Sequence, residues 1–578
     1  SFKRSLTSLF KQPDSLEAYH DASKISFSDF LTGWLELTWP KVAAAASLTM
    51  TQKMEAALED ALGRYPRLRG ELSYTLRFGD VAPKIVEVYS FRKQHSVEDE
   101  GAVVCGHMRW DAELEMTLKV GPVRIGVDHM TLEGTGCVIA KPLLPQDPVL
   151  GGVQIYFCNP PELKLHYAGM GSALASWSTI EIMMDRVMLE AFNNVMVLPH
   201  RMVSRFSNTK IQDYPVFRNP PPKGFLRVQV VSASNLIGNN LVRWSSNRTS
   251  DPYCVLELGQ KTFRTRSINK NCNPIWDTVD DTVDFMVYNE QQVLHLNVYN
   301  ENLLTSNKFL GCLEEGFSVQ SLLHMQEKEL SGKITMNLDT SNVDAHDSSG
   351  PFSAIRSKVC LRLGYFEFRD DKMMQAASMQ SNVEDDEQKT SLLSIKIYHV
   401  AGLPPQQTKG LRVRLSVGDD QYMSKTCKKV HPKDYFGFGS KQSKIMHSLH
   451  QDGTSAEAIA RAYKLTKDIV EEVVSAESGH LQRFGWDEAL HVLVKKPDDV
   501  KTCIEVSIKD RWYPLHQGAA PLTELLAGKP DAVGQGPGGG EPWRVLDYQG
   551  DSVTIGMSMA LLPAAHVDGK TALASFEL

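Results

Sequence analysis

The residues whose types and spacing could do chemistry in this chain are apolar rather than reactive. Ala112, Leu114, Met116 and Leu118 alternate with Asp111, Glu113, Glu115 and Thr117, and Val123, Ile125 and Val127 continue the pattern. The parity slips near Asp128 and His129, and Met130 and Leu132 resume it. A one-residue slip swaps the faces of a strand unless a bulge absorbs it, so the spacing predicts a kink there. Val153, Ile155 and Phe157 follow, then Leu163, Leu165 and Tyr167. Residues 103 to 168 therefore predict a long, curved, mostly antiparallel sheet with one apolar face. What such a face can do is hold hydrocarbon. Two covers are open to it: a packed core of helices, or lipid. No GxSxG elbow, HExxH pair, P-loop or paired metal spacing occurs, so no catalytic residue is assigned and the chain is not expected to be an enzyme.

The elements that must position this face flank it. Ser28-Asp29 could cap a helix through Phe30, Leu31, Trp34, Leu35 and Leu37, which Pro40 would stop or kink. A second helix is predicted from about Leu48 to Leu62, with Met50, Met54, Ala57, Leu58 and Ala61 at helical spacing. Strands begin near Glu71. A helix from about Trp177 to Phe192 carries Ile180, Met183, Met184, Val187, Met188 and Ala191 on one face. Methionine adapts to irregular surfaces, but a stripe of this kind is more often core than ligand contact.

At 578 residues the chain exceeds what one core supports, and three or four domains are expected. The net charge of −7 argues against general nucleic-acid binding. Nine cysteines, an odd number without a CxxC pair, suit a reducing compartment better than a disulfide scaffold. No apolar run reaches membrane-spanning length. The chain starts at Ser1, which is expected of a fragment or processed form, so an anchor could lie upstream. Phe2, Leu6, Leu9 and Phe10 interleave with Lys3, Arg4 and Lys11, which fits either a basic juxtamembrane segment over residues 1–23 or a frayed terminus.

Several strings, in order, resemble the SMP domain of extended synaptotagmins and tricalbins. They are Phe30-Leu31…Trp34-Leu35…Trp39-Pro40, Gly121-Pro122-Val123-Arg124-Ile125, Gly134-Thr135-Gly136, Lys141-Pro142-Leu143, Pro160-Pro161-Glu162-Leu163, Gly169-Met170-Gly171 and Ala191-Phe192…Val197-Leu198-Pro199-His200-Arg201. The resemblance covers residues 24–206. It implies a tubular (TULIP-like) α+β lipid-binding fold, a groove for glycerophospholipid acyl chains, and a homodimer through this domain. Burying acyl chain is worth about 0.8 kcal/mol per methylene, so two chains of roughly 16 carbons gain on the order of 20 kcal/mol. The expected lining is Leu114, Met116, Leu118, Ile125, Val127, Met130, Leu132, Ile155, Phe157, Leu163 and Leu165, with Ile180, Met184 and Val187 from the helix. Phospholipid is the expected bound molecule, with no other cofactor.

Asn219-Pro220-Pro221-Pro222 marks a stiff linker over 207–222. Beyond it, Leu226 to Val231, Ser250-Asp251-Pro252-Tyr253, Asn273-Pro274-Ile275-Trp276-Asp277 and Phe309-Leu310-Gly311 resemble a C2 domain, an all-β sandwich, over 223–369, with its last strand at Lys358 to Phe368 and a loop at about 340 to 355. The resemblance places five calcium-ligand positions at Ser245, Asp251, Asn300, Asn302 and Lys308. Only Asp251 keeps a carboxylate, and calcium wants six to eight oxygens, so no calcium or other metal is expected. Leu241, Val242, Trp244, Leu303 and Leu304, with Arg243, Arg264 and Arg266, suit calcium-independent membrane docking. The alternative is that these tips pack on a neighbouring domain or partner.

Residues 370–390 are acidic and polar and read as a linker. A second, divergent C2-like sandwich is expected over 391–565, with Gly485-Trp486-Asp487 echoing the earlier tryptophan string, and a tail over 566–578. A foreign insertion at about 431–484 carries a helix that Thr454 and Glu457 could cap. Its apolar face is buried in its own domain or against a partner protein. Two functions fit the whole: a lipid-transfer protein tethering two membranes, or a scaffold in a larger assembly with lipid as a fixed component. The resemblance implies the first, at the cytoplasmic face of the endoplasmic reticulum where it contacts the plasma membrane or another organelle.

Overall fold

The computed structural model describes residues 26–63, 72–94, 101–120, 123–143, 149–168, 177–205, 214–238, 248–302, 357–368, 410–429, 440–463, 484–496 and 553–572, with shorter pieces between them. The segment before residue 26 and residues 369–389 lie outside the described residues. The chain divides into two compact units, the first comprising Ser1–Lys141 with Ile155–Met202.

The first unit is an antiparallel sheet covered on one face by two helices. Its elements are α1 (Phe27–Gly63), β1 (Leu72–Phe78), β2 (Lys84–Gln94), β3 (Gly101–Val120), β4 (Val123–Ala140), β5 (Gly152–Phe157), β6 (Glu162–Ala168) and α2 (Trp177–Met196), followed by the short strand β7 (Met202–Arg205). The order is β1-β3-β4-β5, with β2 also on β3 and β6 also on β4. The kink expected at Asp128 is present. Glu113 pairs with His129 and Met116 with Val127, so Leu114 and Glu115 face one residue of β4. On the other side of β4 the register to β6 also shifts between Val127 and His129. The bulge keeps Ile125, Val127, Met130 and Leu132 all buried on the helix side, while Asp111, Glu113, Glu115 and Asp128 stay exposed.

Two expectations about α1 are corrected. Pro40 lies inside one 37-residue helix and does not end it. Proline costs the helix a hydrogen bond, but Trp39 and Ala43 on either side of it are both buried in the core, and that packing carries the helix through. The cap is Ser26 rather than Ser28-Asp29: the Ser26 hydroxyl accepts from the Asp29 amide at 3.1 Å and donates to the Asp29 carboxylate at 2.7 Å.

Helix α1 also closes the sheet's open edge. Among the described residues strand β1 pairs only with β3, so its outer N–H groups need acceptors. Ser47 Oγ accepts from Phe78 N at 3.0 Å, and Thr51 Oγ1, one turn on, accepts from Leu76 N at 3.2 Å. Thr32 Oγ1 does the same for Ile85 of β2 at 3.0 Å. Trp39 donates its indole N–H to Gly79 O and stacks edge-on against Trp110.

The second unit contains two β-sandwiches. A five-residue helix, α3 (Tyr214–Arg218), precedes the first. The first has β8 (Gly224–Ser234), the short ladder β9 (Asn240–Leu241) and β10 (Arg248–Thr249), β11 (Pro252–Leu258), β12 (Lys261–Arg264) and β13 (Thr282–Val287). It continues with β14 (Val293–Asn300), β15 (Lys308–Leu313), β16 (Phe317–Ser318), β17 (Ile334–Asp339) and β18 (Lys358–Phe368). The inward residues of β8, Leu226, Val228 and Val230, meet Trp276, Phe285, Leu296 and Tyr365 in one core.

The second sandwich has β19 (Thr390–Ala401), β20 (Val413–Val417), β21 (Asp420–Met423), β22 (Lys428–Lys429), β23 (Phe484–Lys495) and β24 (Lys501–Ile508). It ends with β25 (Arg511–Pro514), β26 (Ala520–Pro521), β27 (Trp543–Arg544) and β28 (Thr554–Ala572). Trp486 is buried in its core, as the echo of Trp276 suggests. The expected tail from 566 is corrected: β28 continues to Ala572 and pairs antiparallel with β18 of the first sandwich, Phe366 opposite His566 and Leu363 opposite Ala572. One hydrogen-bonded ladder thus joins the two sandwiches.

A buried carboxylate reinforces that junction. Asp284 on β13 takes a bidentate pair from Arg227, Nε to Oδ1 at 2.7 Å and Nη2 to Oδ2 at 3.0 Å. Lys495 of the second sandwich lies 3.4 Å from the same carboxylate, and Arg227 Nη2 also reaches Thr390 Oγ1 at 3.4 Å.

The insertion forms α4 (Ser440–Gln451) and α5 (Ala456–Tyr463), which bury Met446, Ala456, Ile459, Ala460 and Val470 against one another. Among the described residues its apolar face thus packs within the insertion itself. The cap of α5 is Ser455, whose hydroxyl accepts from Ala458 N at 3.3 Å, and not Thr454.

Candidate functional site

The apolar face of the first unit has two parts. In the middle, ten of the expected lining residues, Leu114, Met116, Leu118, Ile125, Val127, Met130, Leu132, Phe157, Met184 and Val187, pack with Met54 and Leu58 of α1 into one buried cluster. Leu163 and Leu165 on β6 pack against it half-buried. Here the helices cover the sheet with the chain's own side chains. The cover is rich in methionine, with Met50, Met54, Met184 and Met188 in the same cluster as Met116 and Met130. These are the side chains best able to repack around a guest. Ile180 lies on α2, but its side chain falls outside the described residues.

Toward one end of the sheet the same face runs out from under the helices. Residues directly paired across strands share a face, and residues two apart along a strand share it too. Trp110 and Leu132, Met108 and Gly134, Gly106 and Gly136, and Val104 and Val138 are successive pairs along β3 and β4 without a register shift between them. Phe157 on β5 sits over Gly134 and Gly136, where a Cβ would come within 3.4 and 3.9 Å of its ring. Ile155, two residues back, therefore points to the same side. Its 39% exposure, with Val138 at 41%, marks the stretch of this face that the helices leave open. The result is an apolar surface, buried at one end and open at the other, floored by glycine where the aromatic ring lies against the strand.

On the opposite face of the same strands, three sulfurs meet. Cys105 and Cys137 are direct cross-strand neighbours and form a disulfide. Cys158, just past the end of β5, has its Sγ 3.4 Å from that of Cys137. All three are buried. The cysteine count alone suggests no disulfide, and the structure corrects it. The pairing depends on register: residues 32 apart become opposite only once the β3–β4 hairpin is aligned.

In the first sandwich, the calcium-ligand positions are wired to each other. Asp251 N donates to Asn300 Oδ1 at 2.6 Å, Asn300 Nδ2 to Asn302 Oδ1 at 3.2 Å, and Asn302 N to Asn307 Oδ1 at 3.0 Å. Asn307 Nδ2 closes the chain on the Tyr253 hydroxyl at 2.8 Å. The one remaining carboxylate, Asp251, accepts from the Lys270 amide at 2.6 Å, and Lys308 pairs opposite Asn300. Neutral amide groups stand at positions where a calcium site draws most of its charge from carboxylates, and Asp251 is the one carboxylate among the described positions. Ser245 lies outside the described residues. Among the described residues no group of three or more His, Cys, Asp or Glu side chains could hold a metal.

The expected docking residues divide. Val242, Arg243, Trp244, Leu303 and Leu304 lie outside the described residues, as does the side chain of Leu241. Arg264 and Arg266 are exposed but already engaged. Arg264 stacks 3.9 Å over the Tyr253 ring and hydrogen-bonds Glu301, which holds that carboxyl below its usual range. Arg266 donates to Trp276 O at 3.1 Å and lies 3.6 Å from Asp281. Both therefore brace the sandwich, and their charge is partly neutralised at source.

This combination of a helix-covered sheet with one open apolar stretch, followed by two β-sandwiches, is the arrangement of an SMP domain followed by C2 domains. Residues 92–206 match the Synaptotagmin-like mitochondrial-lipid-binding domain and residues 224–336 match the C2 domain. The chain is 26% identical over 301 residues to extended synaptotagmin-3 of Xenopus tropicalis, covering 52% of this chain and 32% of that protein. It is 29% identical over 206 residues to human extended synaptotagmin-2, covering 35% of this chain and 22% of that protein. The chain thus spans between about a fifth and a third of the length of the curated relatives it matches. A solved structure of extended synaptotagmin 2, comprising its SMP domain and two C2 domains, superposes with a TM-score of 0.56 at 17% identity, over 94% of this chain and 100% of that one. The chain is thus similar to extended synaptotagmins in sequence, and its fold is that of an SMP domain followed by C2 sandwiches. Among the described residues no helix is long and apolar enough to cross a membrane.

Proposed function

We propose that the chain binds glycerophospholipids through its SMP domain and transfers them between membranes that it helps to tether. The observation that carries this is the apolar stretch around Val138 and Ile155, which continues the buried face out into solvent. An acyl chain laid along it removes that surface from water and leads under the methionine-rich cover. The headgroup stays outside, so the domain needs no catalytic group. The exposed side of α1, with Phe30, Trp34 and Leu37, suits a second copy of the domain and so a homodimer. The setting that goes with this role is the cytoplasmic face of the endoplasmic reticulum, where it meets another membrane. The decisive experiment is twofold: mass spectrometry of lipid co-purifying with the chain, and transfer of a fluorescent phospholipid between vesicles. Bound phospholipid and protein-dependent transfer are expected. Lipid that is bound but never exchanges would mean a scaffold, and lipid-free protein would overturn the reading.

Membrane docking by the C2 pair is proposed to be independent of calcium, with Trp244 and Leu303 as the inserting side chains. The asparagine chain supplies the bracing that a bound cation would otherwise give, and Lys308 repels one. Co-sedimentation with vesicles containing anionic lipid should be the same in calcium and in chelator. Titration calorimetry of the chain with calcium should show no tight stoichiometric binding to the first sandwich.

A further inference from the structure

We infer that Cys105, Cys137 and Cys158 form a thiol–disulfide exchange site, in which Cys137 is the shared sulfur and its bond can move between two strands. Cys137 sits on β4, the strand between β3 and β5. On one side it is bonded to Cys105 of β3, its direct cross-strand partner. On the other, Cys158 Sγ lies 3.4 Å away, close to sulfur–sulfur van der Waals contact. Cys158 is held there by its own backbone, since Cys158 N donates to Thr135 O at 3.0 Å. The attacking and attacked sulfurs are thus positioned by the sheet rather than by long loops.

Exchange proceeds when the Cys158 thiolate attacks Cys137 Sγ. The bond from Cys137 to Cys158 forms as the bond from Cys105 to Cys137 breaks, and Cys105 leaves as a thiolate that takes up the proton Cys158 lost. One thiol and one disulfide stand on each side of the exchange, so no oxidant or reductant is consumed. What changes is which strands are tied: β3 to β4 before, β4 to β5 after. Strand β5 carries Ile155 and Phe157 on its other face, so the second state clamps the strand that borders the open apolar stretch. In a reducing medium all three become thiols and β5 is tied by hydrogen bonds alone. The exchange involves the sulfurs alone and stands whether or not lipid is the cargo.

The test is disulfide mapping on the full chain, oxidised with glutathione disulfide, then denatured in N-ethylmaleimide, digested and read by mass spectrometry. Wild type is expected to yield Cys105–Cys137 together with Cys137–Cys158. The variant C105S should yield Cys137–Cys158 as its disulfide, and C158S only Cys105–Cys137. Circular dichroism of each variant reports whether it folds. Should C105S fail to fold, the wild type in graded glutathione buffers carries the test alone, with the ratio of the two linked peptides as the readout. Recovery of only Cys105–Cys137 from wild type, with Cys158 always alkylated, overturns the inference, as does a folded C105S in which Cys137 and Cys158 remain thiols.

Discussion

Aspartate at both Val138 and Ile155 should strip phospholipid from the protein while leaving it folded. Both side chains are about two-fifths exposed, so neither substitution buries a full charge in the apo fold. With lipid present the balance changes. Each carboxylate would then be covered by hydrocarbon, and desolvating an ion costs several kcal/mol even after relaxation. Each tenfold in affinity corresponds to about 1.4 kcal/mol. A double substitution should therefore lower phospholipid per protein by about 100-fold or more. Thermal unfolding should shift by no more than a typical surface change, about 0.5 kcal/mol per site. The comparison variant is I275D, more exposed still but on the first sandwich, where no change in lipid content is expected. Retention of lipid by the double variant would place the acyl chains elsewhere.

The second large effect is expected at Asp284. Its side chain is 5% exposed and meets Arg227 in a bidentate pair, with Lys495 close by and Lys261 Nζ donating to its backbone carbonyl at 2.7 Å. Removing the carboxylate in D284A leaves three cations facing each other at the junction of the sandwiches. Breaking a buried pair from one side costs about 3–5 kcal/mol; Arg227 keeps some water, which points to the lower end, about 3 kcal/mol. K495A, by contrast, removes a lysine that is 65% exposed and should cost no more than about 1 kcal/mol. Denaturant unfolding of the single variants and of D284A with R227A completes the cycle. The double variant should be less unstable than the sum of the singles, because the orphaned guanidinium is gone.

The strongest periodic signals are the most legible in the sequence. The alternation through Leu118 and the parity slip at Asp128 lead directly to the bulged β3–β4 pair, because strand faces follow from spacing alone. The last strand of the first sandwich, Lys358 to Phe368, falls where its apolar alternation puts it. Features that need a partner's position are not legible. Pro40 reads as a stop or a kink in isolation, and only the burial of Trp39 and Ala43 shows why the helix continues. Ser47 and Thr51 look like ordinary helix residues until the bare edge of β1 lies beside them. Arg264 and Arg266 alternate along the chain as expected, yet Glu301 and Asp281, remote in sequence, claim their charge. The alternation of the lining residues reads as one uniform groove. Helix packing divides it into a closed middle and an open end, a distinction that no single strand's pattern contains.

The ladder between β18 and β28 has a consequence for how the protein is made. Residues 363–367 of β18 have β8 on one side, and the strand facing their other side is made only after the rest of the second sandwich. Throughout synthesis of the second sandwich, that stretch presents unsatisfied peptide groups along a bare margin, the feature that recruits stray strands from other chains. Completion of the second sandwich and sealing of the earlier module are therefore one event. A transcript truncated anywhere before Thr554 would release a product whose first sandwich is whole in sequence yet adhesive at one border.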